Sequence, residues 1–119
     1  MSVTRNTKYG DINISMDAIT SLAGGVVTEC YGVVGMASQK LLKDGLAELL
    51  KKENYSKGVV VKEKDGTLSL DLYIIVSHGM KISEVVKEVQ KRVKHVMEKT
   101  LNVEIEAVNI YVQGVKVLD

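Results

Sequence analysis

Two apolar runs joined by an Asp-Gly pair constrain the fold of this chain more than any other feature. Three valines at 59–61 precede Asp65-Gly66, and every second residue over 68–76 is apolar. Because successive side chains of a β-strand point to opposite faces, this alternation predicts a strand. Asp-Gly favours the tight turn that joins two antiparallel strands. The sequence therefore predicts a β-hairpin here.

A strand and a helix are predicted before the hairpin. Residues 9–14 end in an alternation of apolar and polar residues, which indicates an edge or entry strand. Ser15 is placed to cap a helix over residues 16–30, and Asp17 lies in its first turn, where the helix dipole favours a carboxylate. The apolar face of this helix is expected to consist of Ile19, Leu22, Ala23, Val26, Val27 and Cys30.

Glycines and leucines shape the segment that follows. Gly24 and Gly25 lie in the middle of the first helix, where a glycine costs about 1 kcal/mol relative to alanine, so another backbone is expected to pack closely there. Gly32 is expected to end this helix. Leucines at helical spacing predict a second helix from about 41 to 52, and residues 33–38 remain either strand or loop.

A helix and a strand are predicted in the last third of the chain. Ser83 is the predicted N-cap of the helix, and Glu84 lies at its positive end. The apolar stripe of the helix consists of Ile82, Val85, Val86, Val89, Val93, Val96 and Met97. In the final segment the apolar alternation changes phase between Ala107 and Val108, which indicates a β-bulge or two short strands.

The order of these elements defines a fold class. We predict an α+β two-layer sandwich, in which a mixed sheet that includes the β-hairpin packs against about three helices. No repeat, low-complexity tract or linker divides the 119 residues, so 1–119 is expected to form a single domain. A chain of this length buries roughly 65% of its unfolded surface, which is sufficient for one core without disulfides or metal.

Charge and composition exclude several classes of protein. The 16 Lys and Arg against 15 Asp and Glu leave a net charge of +1, so a nucleic acid would need a local basic patch. The single cysteine, Cys30, forms no intramolecular disulfide, and the N-terminus lacks the apolar stretch of a signal peptide. No apolar run approaches the roughly 20 residues of a membrane span. A cytoplasmic location without a direct membrane span is expected.

The sequence contains no recognised catalytic, cofactor or metal motif. The two histidines, His78 and His95, have no second ligand at a recognised spacing. Cys30 lies on the apolar stripe of the first helix, so a structural role is expected rather than a reactive thiolate. The glycine-rich loops that bind phosphates are absent. We therefore predict a protein that is not an enzyme and that uses no cofactor or metal.

Two alternative functions rest on pairs of glycines. Gly32 and Gly35 have the spacing of the loop with which KH domains clamp a nucleic-acid backbone, but the two valines between them offer a phosphate no charge. The chain has no Phe or Trp, and its five tyrosines are scattered along the sequence, which disfavours base stacking. The second alternative is a small-molecule or lipid-sensing module, because Gly24-Gly25 and a β-branched core are compatible with a groove.

The last predicted helix carries the one surface with a charge bias. Its polar side forms a candidate interaction face that consists of Lys87, Lys91, Arg92, Lys94 and His95. A charged helix side is most often only a solvated surface. The functional alternative is a docking face for an acidic protein or for anionic lipid headgroups.

Four stretches of the chain resemble the alkaline shock protein family, the envelope stress response proteins of Gram-positive bacteria. They are YGDINIS at 9–15, CYGVVGM at 30–36, VSHGMKISEV at 76–85 and VNIYVQGV at 108–115. The stretches occur in the order of the family and cover about residues 9–117. Each is weak alone, and the matching separations make the assignment specific. The chain resembles a short form of the family without terminal extensions.

The resemblance implies a role in cell-envelope homeostasis through protein–protein interaction, without catalysis. Some members are held at the membrane by a separate anchoring protein. By this resemblance the expected partner is another protein, which would be membrane-anchored if it plays the same part, or a second copy of this chain in a homo-oligomer. Nucleic acid is not an expected partner. The glycines in the matching stretches are expected at turns or close approaches rather than at ligands. They are Gly10, Gly32, Gly35, Gly79 and Gly114.

Overall fold

The computed structural model describes residues 2–7, 10–41 and 47–117. In chain order its elements are β1 (Ser2–Thr7), β2 (Gly10–Ser15), α1 (Met16–Glu29), β3 (Val33–Leu41), β4 (Ala47–Leu49), a 3₁₀-helix (Lys52–Gly58), β5 (Val59–Lys64), β6 (Thr67–Ser77), α2 (Ile82–Leu101) and β7 (Glu104–Lys116). Among these residues two α-helices and the 3₁₀-helix accompany a five-stranded mixed sheet. The predicted α+β fold class is confirmed.

Strand β6 is the centre of the five-stranded sheet. One edge of β6 pairs antiparallel with β5 along residues 67–72 and with β3 along residues 74–76. The other edge pairs in parallel with β7 along residues 67–77. Parallel neighbours need a crossover connection, and α2 provides it. Strand β4 pairs with β3 and extends the sheet on that side.

The predicted β-hairpin is confirmed as β5 and β6. Asp65 and Gly66 have φ values of 52° and 81°, the left-handed backbone that a two-residue hairpin turn requires at both positions. The Gly66 N–H also donates to Glu63 Oε1 at 3.2 Å. The local turn chemistry therefore sets the register of the hairpin, from Val59 opposite Leu72 to the last pair before the turn.

The hydrophobic core lies between the α-helices and one face of the sheet. Strand β6 contributes every second residue over 68–76, and each of these side chains is fully enclosed. Strand β6 thereby places its alternate, odd-numbered residues on the opposite sheet face. The buried apolar side chains of the two helices are Ile19, Ala23, Val26 and Val27 in α1, and Val85, Val89, Val93 and Met97 in α2.

One predicted helix cap is confirmed and the other is wrong. Ser15 caps α1, since its Oγ accepts a hydrogen bond from the Ala18 N–H at 3.1 Å. Helix α2 begins at Ile82 after Lys81, and no side chain caps it. The Lys81 carbonyl accepts hydrogen bonds from the N–H groups of Glu84 and Val85, at 3.0 and 3.1 Å. Ser83 therefore lies inside the first turn of α2.

The helix predicted over 41–52 is wrong. Leu41 ends β3, residues 47–49 form β4, and residues 42–46 lie outside the described part. The Leu50 N–H donates to the Met36 carbonyl at 2.8 Å, and Ala37 is paired with Leu49. Strand pairing with β3 thus overrides the helical spacing of the leucines. The undecided segment 33–38 is the first part of β3.

The strand predicted at 9–14 is confirmed as β2, and its partner β1 was not predicted. The two strands pair antiparallel from Ser2 opposite Ser15 to Thr7 opposite Gly10. They form a two-stranded sheet of their own. Tyr9, the first residue of the predicted strand, lies outside the described residues.

The predicted phase change in the last strand is a β-bulge. Strand β7 carries one extra residue, Glu106, relative to β6, so its apolar alternation resumes one position later. Two side chains of α2 bond the backbone around this bulge. Gln90 Nε2 donates to the Val108 carbonyl at 2.8 Å, and Glu98 Oε2 accepts from the Ile105 N–H at 3.1 Å.

The two glycines inside α1 have different surroundings. A Cβ at Gly24 would overlap the ring of Tyr55 from the 3₁₀-helix, so the close neighbour is a side chain and not the predicted backbone. A Cβ at Gly25 would meet no atom within 4 Å. Cys30 caps the C-terminus of α1, and Gly32, with φ of 89°, turns the chain into β3.

Candidate interaction face

The candidate interaction face lies on the side of α2 that is turned away from the core. All five of its side chains, Lys87, Lys91, Arg92, Lys94 and His95, are exposed. Residues three, four, seven or eight positions apart share one side of an α-helix, which places 87, 91, 94 and 95 together. The buried stripe of α2 has the same periodicity on the other side, so the core packing of α2 fixes the direction of the face.

The cations of this face are not neutralised by ion pairs among the described residues. The ion pairs there are Lys62–Asp71 at 3.3 Å and Lys81–Glu84 at 3.8 Å, and neither involves a residue of the face. Glu98, the nearest carboxylate toward the C-terminus of α2, accepts a backbone hydrogen bond from β7. The three lysines and Arg92 therefore present positive charge to solvent.

An open apolar groove lies beside the face, between α1 and α2. Its volume is about 550 Å³. Leu22, Val26 and Val96 provide apolar walls, and the groove stays open at Gly25 because this residue has no side chain. Arg92 lies at the rim and belongs both to the groove and to the basic face. Apolar and cationic surface are thus adjacent on one side of the molecule.

Cys30 lies at the end of α1 and is 3% exposed. Its Sγ donates a weak hydrogen bond to the Val26 carbonyl at 3.4 Å. Burial raises the pKa of the Cys30 thiol above its ordinary value, and the charge of Arg92 opposes this shift. Since the thiolate is the reactive species, this environment suits the structural role that the sequence predicted.

We expect the native Cys30 thiol to react with a disulfide reagent at least about tenfold more slowly than the thiol of the chain in denaturant. The raised pKa also gives a pH dependence. Above the ordinary thiol pKa, Cys30 has lost its thiol proton in the unfolded chain but keeps it in the folded chain. The free energy of unfolding therefore falls as pH rises. The Cys30→Ala variant should lose this component of the fall. Native labelling as fast as in denaturant would contradict the prediction.

The described residues assemble no metal site around the histidines. His78 is exposed in the turn between β6 and α2, where its backbone N–H donates to the Lys116 carbonyl at 2.8 Å. Within the described ranges, no three residues among His, Cys, Asp and Glu lie close enough to hold an ion. Over the same ranges, no helix has the length and apolar character that crossing a membrane requires.

The glycine spacing that suggested a KH-type loop does not form a free loop. Gly32 lies in the turn after α1, as predicted, and Gly35 lies within β3. Gly35 is buried, and a Cβ there would lie 2.9 Å from Leu49 Cδ1, which is the predicted close approach. Three of the four residues, 33–35, lie in β3, and the Val33 N–H donates to the Cys30 carbonyl at 3.2 Å, so this segment is not an open loop around a phosphate chain.

The remaining glycine predictions have mixed outcomes. Gly79 lies in the turn before α2 with φ of 86°, as predicted. Gly10 is the first residue of β2, and the chain immediately before it lies outside the described residues. Gly114 lies in β7, where a Cβ would meet Ile75 at an ordinary 4.0 Å, so neither a turn nor a close approach occurs there.

A cluster of side chains on the sheet face opposite the helices was not predicted from the sequence. Tyr73 and Tyr111 stack there with ring centroids 4.9 Å apart. The buried Asp71 accepts a hydrogen bond from Asn109 Nδ2 at 2.9 Å and pairs with Lys62 at 3.3 Å. The parallel register of β6 and β7 sets Tyr73 opposite Tyr111 and Asp71 opposite Asn109. The tyrosines are distant in sequence, and only that register brings them together.

The fold and the basic surface together define the class of protein to which this chain belongs. This is a small α+β protein with an exposed basic helix face, and nothing in its described residues indicates catalysis. A family model for alkaline shock protein 23, described as having a cell envelope-related function, matches residues 4–117. The chain therefore belongs to this alkaline shock protein family, and the resemblance predicted from the sequence is confirmed.

Relatives of this chain occur in Gram-positive bacteria. The uncharacterized protein YloU of Bacillus subtilis (strain 168) is 51% identical over 117 residues, which cover 98% of each chain. The uncharacterized protein Spy1614 of Streptococcus pyogenes serotype M6 is 51% identical over 118 residues, or 99% of this chain and 98% of the relative. The uncharacterized protein YqhY of Bacillus subtilis (strain 168) is 28% identical over 93% of this chain and 81% of its own length. No solved structure matches the chain.

Proposed function

We propose that this protein is a non-enzymatic, cytoplasmic adaptor of cell-envelope homeostasis that binds an acidic protein partner through α2. The observation that carries this proposal is the basic face of Lys87, Lys91, Arg92, Lys94 and His95 beside the apolar groove. The family has a cell envelope-related function, which gives the process. A membrane-anchored partner would hold the protein at the membrane without a span of its own.

The chemistry of this surface favours a protein over a nucleic acid. A helix of a partner can lay apolar side chains into a groove between two helices, and acidic residues on its flank would then meet the lysines and Arg92. A polyanion would use the charges alone and leave the apolar walls uncovered. The net charge of +1 also supplies no wider attraction for nucleic acid.

The test is capture of partners by the tagged protein after cross-linking, from separate membrane and soluble fractions. The variant Lys87→Glu with Lys91→Glu reverses two charges of the face. The control Lys57→Glu with Lys64→Glu makes the same change at two exposed lysines outside α2. We expect one membrane-anchored protein, insensitive to nuclease, whose recovery falls about tenfold in the face variant, because like charges then oppose at the interface.

The control variant should recover this protein as well as the native chain does. Equal recovery by the face variant and the control would exclude the face as the binding surface. Partners that disappear on nuclease treatment would instead support nucleic-acid binding.

A second candidate function rests on the groove alone. Its volume of about 550 Å³ lies in the range of small-molecule sites, and Arg92 at the rim suits an anionic head. A thermal-shift screen against metabolites and fatty acids tests this candidate. Stabilisation of the native chain that disappears in Gly25→Leu, which fills the groove, would support it, and a featureless screen would exclude it.

A further inference from the structure

We propose that two copies of this protein join edge to edge through β7, each strand pairing antiparallel with the β7 of the other copy. Among the described residues β7 has one strand partner, β6. The other edge of this 13-residue strand has no strand paired with it among those residues. An open edge of this length is a template for pairing with another chain. This surface is separate from the basic face of α2, so the inference does not rest on the proposed function.

The middle of β7 lacks the features that protect open strand edges. Such edges commonly carry a charged residue or a proline, whereas residues 107–115 contain neither. Three of the six exposed large apolar side chains among the described residues also lie at this end of the chain. They are Tyr111, Val115 and Val117, which are 44%, 51% and 65% exposed. A second copy along the edge would remove part of this apolar surface from water.

Tyr111 shows how the edge continues the sheet. Tyr73 on β6 covers one face of the Tyr111 ring, at a centroid distance of 4.9 Å and an angle of 15°. Because Tyr73 of β6 stacks on the first face, the other face of the Tyr111 ring is turned away from β6. A strand added at the free edge of β7 would continue the row of side chains that Tyr73 and Tyr111 begin across the sheet.

The charges of β7 favour a second copy in antiparallel orientation. Glu104 and Glu106 lie at the start of the strand, and Lys116 lies at its end. Antiparallel pairing of two identical strands places the acidic end of each beside the basic end of the other. Parallel pairing would place like charges together. Two copies of β7 are therefore complementary in charge only when they run antiparallel.

The regular part of β7 has a length that suits such a pair. Its register with β6 shifts near Glu106 and near Gln113, and between these points residues 107–112 follow β6 without interruption. Strand pairs of about five to six residues are usual in sheets. A two-fold axis through this segment would bring Glu104 and Glu106 of one copy alongside the stretch that contains Lys116 of the other.

The first test is the association state of the full chain by sedimentation equilibrium over a range of concentrations. We expect the native chain to dimerise and Tyr111→Lys to raise the dissociation constant at least about tenfold, since a lysine near the middle of an edge opposes pairing. The matched control is Tyr31→Lys, because Tyr31 is 83% exposed in the turn before β3. This control should associate like the native chain. Circular dichroism verifies that both variants are folded.

The second test concerns orientation and uses only surface charges. Lys116→Glu should weaken the dimer several-fold by placing carboxylates together, and adding Glu104→Lys with Glu106→Lys to that variant should restore it. A native chain that stays monomeric at all concentrations, equal dissociation constants for the two tyrosine variants, or no restoration by the charge exchange would each overturn the proposal. Capture of a partner by α2 is independent of these outcomes.

Discussion

Replacing Leu70 with alanine is expected to lower the free energy of unfolding by about 2–5 kcal/mol. Leu70 is fully buried on β6, where it is paired with Val61 on one side and Val108 on the other. Because β6 has a strand along each edge and helices over this face, its surroundings cannot collapse into the vacated space. The cavity therefore remains, and its cost adds to the lost burial of the side chain.

Chemical denaturation followed by circular dichroism measures this change as a lower midpoint with an unchanged slope. The matched control is Leu49→Ala on β4, since Leu49 is 43% exposed. This variant should lose about 1 kcal/mol or less, as expected for a partly exposed position. Equal losses in the two variants would mean that the core does not lie between β6 and the helices.

Alanine at Gly24 and alanine at Gly25 are expected to change stability in opposite directions, although the two residues are neighbours in α1. Gly25→Ala should raise the free energy of unfolding by about 1 kcal/mol, because the added methyl meets no atom within 4 Å and glycine is unfavourable inside a helix. Gly24→Ala places its methyl against the ring of Tyr55. Overpacking of this kind costs about 1–3 kcal/mol, which exceeds the gain in helix propensity.

A double-mutant cycle separates these two contributions at Gly24. In a Tyr55→Ala background the ring is absent, so Gly24→Ala should stabilise the protein about as much as Gly25→Ala does. The same denaturation experiment provides all the free energies. If Gly24→Ala stabilises the chain that retains Tyr55, the helix and the ring are not in contact in solution.

The basic face was predictable from sequence, whereas the groove beside it was not. The spacing of Lys87, Lys91 and Lys94 is a property of one helix, and the apolar stripe on the other side sets their direction. The groove requires α1 next to α2, with Gly25 and Arg92 facing the same space. Such packing between helices depends on contacts between distant segments, which periodicity in one segment does not specify.

Short-range signals in the sequence determined the hairpin at Asp65-Gly66, the cap at Ser15 and the bulge before Val108. In each case a few adjacent residues set the local backbone, so the prediction needed no knowledge of neighbours. The resemblance to a family also came from the sequence, and with it the cell envelope-related function.

Only the tertiary structure decided the path of the chain between α1 and the hairpin and the pairing of β6 with β7. The leucines over 41–52 have helical spacing, yet strand pairing of Ala37 with Leu49 determines their conformation. Helix propensities among ordinary residues differ by less than about 1 kcal/mol, and long-range backbone pairing and core burial together exceed such differences. For the same reason the stacking of Tyr73 on Tyr111 became visible only once the register of two distant strands was known.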